Sequence, residues 1–309
     1  MIPAATVVLP AFNPRRDYLQ AALEALRCQS LDTALWEIVL VDNRSAPPIA
    51  GSVDLSWHPS AQVVREERLG LTRARLAGFQ CARGALIVLV DDDNILRPDY
   101  LMEALEISRR YPLLGSWGGR ISPRFERPEM APPPGLSPLL SLREVNEDCW
   151  SNDPDHHAST PWGAGLCVRR AVADQYSRDL EARKLGIELD LQGERLVYGG
   201  DTDIAYIGCG MGHGKGVFKA LQVEHLIPPE RCQPEYLCRV AEGRGYSEVL
   251  HELVRSGSFP VEDRSLASWL RLQRAARTGT ALERRVTRAR LDGRRRAFRE
   301  LGAKFGDGA

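Results

Sequence analysis

Short apolar runs alternate with stretches of helical period along the first third of the chain. Residues 6–9 form a β-branched run. Residues 15–28 then carry Tyr18, Leu19, Ala22, Leu23 and Leu26 at the three-to-four spacing of one helix face. Residues 37–41 predict a second strand, residues 62–64 a third, and Leu71–Cys81 a helix. Residues 85–90 are apolar without a break, the pattern of a strand buried on both faces. That run stops at three carboxylates, Asp91, Asp92 and Asp93. Pro98 suits a first helical turn, and residues 99–110 continue as a helix. Strands alternating with helices predict parallel pairing through right-handed crossovers.

The rhythm changes after Tyr111. Residues 115–121 predict a strand that widens the sheet, and the proline-dense stretch 123–138 reads as an exposed loop. Residues 164–168 predict a strand and 171–180 a helix. A further helix opens at Gly199-Gly200-Asp201-Thr202-Asp203. The glycine-rich stretch 208–216 reads as a mobile loop, and the strand 216–223 leads to Glu224-His225. From about residue 234 the pattern is helical, and its last part is dense in arginine: Arg271, Arg274, Arg277, Arg284, Arg285, Arg288, Arg290, Arg294, Arg295, Arg296 and Arg299. Trp269, Leu270, Leu272, Val286, Leu291 and Phe298 lie among them. One reading is a solvated helical face. The other is a basic amphipathic element on anionic lipid or an anionic acceptor, each arginine near a lipid surface gaining about 1 kcal/mol. The expected division is a domain over 1–232, with halves 1–112 and 113–232, and a helical extension over 233–309.

Lysine and arginine number 41 and aspartate and glutamate 41, so the whole molecule carries no field that would draw nucleic acid. No apolar run approaches the roughly twenty residues that span a bilayer, and the N-terminus lacks the basic region of a signal peptide. The seven cysteines are scattered with no CxxC pair, which fits reduced thiols and argues against zinc. A cytoplasmic protein is expected.

The carboxylates after residue 90 are the leading candidate for chemistry. In open α/β sheets ligands bind beyond the carboxyl ends of strands. Stacked negative charge there is costly without a cation. If the chain stays extended, Asp91 and Asp93 point the same way, and such hard oxygen ligands suit Mg²⁺ or Mn²⁺ gripping a diphosphate. A plain acidic turn is the alternative. Trp162-Gly163-Ala164-Gly165 reads as a wall where small residues leave room and a ring packs on a sugar face. Asp201 sits beside two glycines at a helix start, where the dipole favours an ionised carboxylate. Capping is the alternative for Asp201 and for Asp203.

Four segments in order carry a resemblance. They are Val8-Leu9-Pro10-Ala11-Phe12-Asn13; Ile38-Val39-Leu40-Val41-Asp42-Asn43-Arg44-Ser45; Leu69-Gly70-Leu71-Thr72-Arg73-Ala74-Arg75-Leu76-Ala77-Gly78 followed by Asp91–Asp93; and Gly200-Asp201-Thr202-Asp203 with His225. Over roughly residues 5–230 the chain resembles the family-two inverting glycosyltransferases of the GT-A fold, a Rossmann-like, doubly wound, mostly parallel α/β sheet. The segment 225–231 is similar to members that build bacterial surface polysaccharides.

The resemblance implies a nucleotide diphosphate sugar donor, with uridine as the base, and a hydroxyl acceptor on a glycan or lipid-linked glycan at the inner face of the plasma membrane. It implies Pro10, Ala11, Phe12, Asn13 and Asp42 at the base, Arg75 at the nucleotide or its phosphates, and Asp91 at the ribose, with Asp92 beside it. It implies Asp93 on Mn²⁺ or Mg²⁺, with Asp91 and His225 near the ion. Asp201 would be the base that activates the acceptor, with Trp162, Gly163 and Gly200 at the acceptor. Gly200 stands where relatives carry Glu, so Asp203 stays open as the base; Leu76 stands where they carry Asn. Two other readings are a catalytically silent scaffold of this fold and a sugar-phosphate nucleotidyltransferase. The latter wants a glycine-rich, lysine-bearing N-terminal signature, which residues 10–16 lack.

Overall fold

A computed structural model describes residues 2–182, 199–260 and 278–305. These fall into two compact units. One holds the described residues up to 124, 141–182 and 200–227; the other holds 125–140, 199 and those from 228 onward.

The first unit is built on one sheet. Its first half has β1 (Ala5–Ala11), α1 (Arg16–Arg27), β2 (Trp36–Asp42), β3 (Ala61–Arg65), α2 (Leu71–Cys81) and β4 (Leu86–Leu89). Then follow β5 (Asn94–Leu96), α3 (Tyr100–Arg110), β6 (Leu114–Phe125), β7 (Cys149–Ser151), β8 (Cys167–Arg169), α4 (Arg170–Ala182), α5 (Gly200–Gly210) and β9 (Gly214–Ile227). The strand order is β3-β2-β1-β4-β8-β6-β9-β5, with β7 on β9. β1 pairs in parallel with β2 and β4, and β2 with β3. β8 joins both β4 and β6 in antiparallel fashion, and β9 joins β5 and β7 likewise. Every residue of β1, β2 and β4 is buried, as continuous apolar runs require when helices cover both faces. α2 lies close on β1: a Cβ on Gly78 would fall 2.3 Å from Val8 Cγ1, so only glycine fits there. Register places Ala11 beside Asp42 and Val8 beside Leu89, which brings the ends of β1, β2 and β4 to one edge.

Three expectations are corrected. β4 ends at Leu89, and the carboxylates sit on a turn rather than an extended strand: the Asn94 N–H donates to the Asp91 carbonyl at 3.0 Å. The chain returns as β5, whose three residues are too short to show a period. The glycine-rich stretch is not a loop, because α5 runs to Gly210 and β9 starts at Gly214. The proline-dense stretch is not wholly exposed; it holds a 3₁₀ segment over Pro134–Leu140 that buries Leu136 and Leu140.

The second unit contains α6 (Pro234–Ser256) and α7 (Ala281–Phe305). They meet at backbone contact. A Cβ on Gly245 would lie 2.0 Å from the Arg290 carbonyl oxygen, and one on Gly293 would lie 1.9 Å from that of Glu242. Val286, Ala297 and Leu301 are buried. Several α7 arginines pair with carboxylates of α6: Arg285 with Glu235 at 3.1 Å, Arg294 with Glu248 at 2.8 Å, Arg290 with Glu248 and Arg296 with Glu242, both at 2.5 Å. The basic stripe is therefore partly neutralised within its own unit, and fewer cations remain for a lipid surface. Arg271, Arg274 and Arg277, with Trp269, Leu270 and Leu272, lie outside the described residues. Among the described residues no helix is long and apolar enough to cross a membrane.

Candidate active site

The loops after β1 and β2 lock together. Pro10 and Ala11 are buried strand residues, so only Phe12 and Asn13 face out. Asn13 adopts φ 45°, a conformation asparagine tolerates. Its N–H donates to Ser45 Oγ at 2.9 Å, and its Oδ1 accepts the Ala46 N–H at 2.9 Å. Asp42 organises the second loop. Its Oδ1 accepts the Ser45 N–H at 2.8 Å; its Oδ2 accepts the Ile49 N–H at 3.1 Å and Arg65 at 2.8 Å. Burial pushes this carboxyl upward, but the Ser45 and Ile49 amides and then Arg65 outweigh it and hold it below the usual range. Asn43 extends the lattice, donating to the carbonyls of Glu66 and Arg68 and accepting the Gly70 N–H at 2.8 Å. Sequence reasoning missed Asn43 and Arg65 as organisers. The run Asp42-Asn43 at a strand end was the available signal for the first; Arg65 had none.

The acidic turn carries the second cluster. His225 Nε2 lies 3.2 Å from Asp93 Oδ2, and each side chain is 9% exposed. The Asn94 amide donates to Asp93 Oδ1 at 2.9 Å, and Asn94 pairs with His225 across β5 and β9. Asp91, half-buried, has Arg75 Nη2 at 3.8 Å. Burial raises the Asp91 carboxyl; Arg75 opposes that, while Asp93 and Asp201 add like charge. Asp92 is half-buried beside them. Arg75 is not a surface cation. Its side chain is 6% exposed, and its Nε has no hydrogen-bond partner. A buried guanidinium with an open donor is suited to an anion.

Among the described residues no three His, Cys, Asp or Glu side chains stand close enough to cage a metal. Of the expected set Asp91, Asp93 and His225, the close pair is Asp93 with His225 at 3.2 Å. Mg²⁺ and Mn²⁺ sites commonly use one or two protein ligands and take the rest from substrate phosphates and water. A buried carboxylate beside an imidazole fits that pattern.

Asp201 stands in the first turn of α5. Its Oδ2 accepts the Gly163 N–H at 2.8 Å and its Oδ1 the Thr202 N–H at 2.9 Å. A Cβ on Gly163 would lie 3.0 Å from Arg75 Nη2 and 3.5 Å from Asp201 Oδ2. Arg75 thus reaches from Asp91 to the Gly163–Asp201 junction. Asp203 and Gly200 are buried, whereas Asp201 is only half-buried. Trp162, also half-buried, packs under the Arg143 guanidinium at 5.3 Å. The fold brings Arg75, Asp91, Gly163 and Asp201 together; Asp93 lies on the same turn as Asp91, and His225 reaches it from β9. Asn13 and Asp42 form a separate loop cluster on the same sheet edge.

A parallel half-sheet continued by antiparallel strands past β4, with an acidic turn at the junction, defines the class: a GT-A glycosyltransferase fold. The mannosyltransferase PcManGT from Pyrobaculum calidifontis, solved with GDP-Man and Mn²⁺, shares that fold with a TM-score of 0.53 over 100% of this chain and 77% of that one, at 18% identity. The sequence profile of Glycosyl transferase family 2 matches residues 6–162, about half of the chain, and the protein belongs to that family. The putative glycosyltransferase EpsH of Bacillus subtilis (strain 168) is 32% identical over 106 residues, 33% of this chain and 30% of that protein. The succinoglycan biosynthesis protein ExoO of Rhizobium meliloti (strain 1021) is 33% identical over 106 residues, 34% of this chain and 30% of that protein. The chain spans less than a third of the length of these curated relatives.

Proposed function

We propose that this protein transfers a sugar, with inversion, from a nucleotide diphosphate sugar to a hydroxyl of a glycan or lipid-linked glycan in surface polysaccharide synthesis. The observation that carries this reading is the Asp201 carboxylate, fixed by two N–H donors a short reach from the buried Arg75 and the half-buried Asp91. Phe12, Asn13 and the Asp42 loop would receive the base, which the family resemblance makes uracil. Asp91 would take the ribose, and the Arg75 guanidinium would meet the diphosphate. Asp93 and His225 would hold Mn²⁺ or Mg²⁺, which supplies Lewis-acid neutralisation of the departing diphosphate. Asp201 accepts the acceptor's proton as its oxygen attacks the anomeric carbon from the face opposite the diphosphate. One displacement inverts that centre, and no glycosyl-enzyme is needed. Trp162, Gly163 and Gly200 would border the acceptor. A transferase domain over 1–232 followed by a helical extension over 233–309 accommodates this reading. The name of ExoO supports the polysaccharide setting.

The test is Asp201→Asn. We expect UDP binding within twofold of the unaltered protein and transfer reduced by about 10²–10⁴-fold, the usual contribution of a positioned base. Transfer at the unaltered rate would remove Asp201 from the chemistry and pass the role to Asp203.

A further inference from the structure

The loop that ends at Gly163 is held by two cations that the proposed chemistry does not use, the buried Lys215 and the half-buried Arg143. Lys215, in β9, is fully buried, and among the described residues it makes no ion pair. A buried ammonium without a carboxylate is costly unless its donors are satisfied. Lys215 Nζ donates to the His156 carbonyl at 2.7 Å and to Thr160 Oγ1 at 2.7 Å, with Ser159 Oγ at 3.5 Å. Burial also pulls its pKa down. From the other side, Arg143 donates to the carbonyls of Ala158 and Thr160 and lies over the Trp162 ring. Arg143 is itself anchored to β6 by paired backbone bonds with Ile121, each of 2.9 Å. Residues 156–162 are therefore gripped at five positions: 156, 158, 159, 160 and 162. The next residue is Gly163, whose N–H meets Asp201.

We propose that Lys215 and Arg143 are positioning residues: they fix the 156–163 loop so that the Gly163 N–H orients the Asp201 carboxylate toward the acceptor. This rests on Asp201 being the base. Neither cation touches the donor loops at Asn13 and Asp42, so their loss acts first on the transfer step. Lys215 contributes hydrogen bonds rather than an ion pair, so an uncharged side chain of similar length removes its function without stranding a carboxylate.

The experiment compares the unaltered protein with Lys215→Met, Arg143→Lys and Thr160→Val, the last removing one hydroxyl acceptor and little volume. Asp201→Asn serves as the reference. The first readout is the ¹H–¹⁵N resonance of the Gly163 amide, which a charge-assisted bond to a carboxylate shifts downfield. The second is UDP affinity with Mn²⁺ by calorimetry, set against the transfer rate. We expect the Gly163 resonance to move upfield in Lys215→Met, Arg143→Lys and Thr160→Val, in the direction seen in Asp201→Asn, and an unmoved resonance in a folded Arg143→Lys protein overturns the part assigned to Arg143. We expect UDP affinity within twofold and kcat lower by about 10- to 100-fold, the scale of a misplacement near 1 Å. A folded Lys215→Met or Thr160→Val protein whose Gly163 resonance coincides with that of the unaltered protein overturns the inference. The Gly163 signal reports on the loop whatever reaction the site performs. A failure of the transferase reading appears separately, as no transfer by the unaltered protein.

Discussion

Asp42→Asn gives the sharpest test of the loop lattice beneath the proposed nucleotide site. The carboxylate is 2% exposed and accepts two backbone N–H groups, from Ser45 and Ile49, together with Arg65. An asparagine keeps the shape but has one oxygen where two are needed. If its oxygen takes the place of Oδ2, its amide nitrogen faces the Ser45 N–H, and that donor is left without an acceptor. An unsatisfied buried donor costs about 1–3 kcal/mol, and charged bonds turned neutral lose about 0.5–1 kcal/mol each. The Arg65 pair adds little, because Arg65 is 36% exposed and such pairs contribute about 0–1 kcal/mol. The expected loss is about 2–4 kcal/mol at pH 7, read by urea unfolding with an unchanged m-value.

The pH dependence carries a sign. The folded carboxyl sits below its unfolded value, so its stabilisation is complete above about pH 4 and is lost as pH falls through the folded pKa. The difference between Asp42→Asn and the unaltered protein should therefore shrink below about pH 4. Ser45 also holds Asn13, so UDP affinity should fall with stability. A loss under about 0.5 kcal/mol at pH 7, the scale of an ordinary surface change, or a loss unaltered at pH 3.5, would refute the reasoning.

Other perturbations separate packing from chemistry. Gly293→Ala gains about 1 kcal/mol of helix propensity, yet overpacking against the Glu242 carbonyl costs about 1–3 kcal/mol, so thermal unfolding should show net loss. A gain in melting temperature there would mean that α6 and α7 do not meet at backbone contact. Truncation ahead of α7 should uncover the face of α6 that it covers and yield aggregates in size-exclusion chromatography; a monodisperse protein would mark α7 as dispensable. Arg75→Met should weaken UDP binding by more than tenfold, since it removes the cation proposed to meet the diphosphate and takes from Asp91 its main opposing charge beside Asp93 and Asp201. Unchanged affinity would return Arg75 to a purely structural part.

Much of the fold was legible because its strands are dictated by local pattern. β4 is apolar without interruption, β1 and β2 are apolar but for Thr6, Glu37 and the terminal Asp42, and α2 coincides with the predicted Leu71–Cys81. What escaped notice depended on contacts distant in sequence. β5 exists only because Asn94 pairs with His225 across 131 residues. The glycines between 208 and 216 read as mobility, yet Gly214 is tied to the Leu113 carbonyl at 2.8 Å and starts a long strand. The carboxylates at 91, 93 and 201 were legible as residues. Their grouping follows from a turn and from the Gly163 N–H, and neither leaves a periodic trace. Lys215 sat within a stretch that read as a loop, so its burial had no signal at all.

The central claim is that the Asp93–His225 pair holds a divalent cation against a nucleotide diphosphate. Calorimetric titration of UDP into the full chain, with and without Mn²⁺, and into Asp93→Ala, tests it most directly. The account predicts Mn²⁺-dependent binding in the unaltered protein and its loss in the variant. UDP affinity that is the same with and without Mn²⁺, or the same in Asp93→Ala, would contradict it.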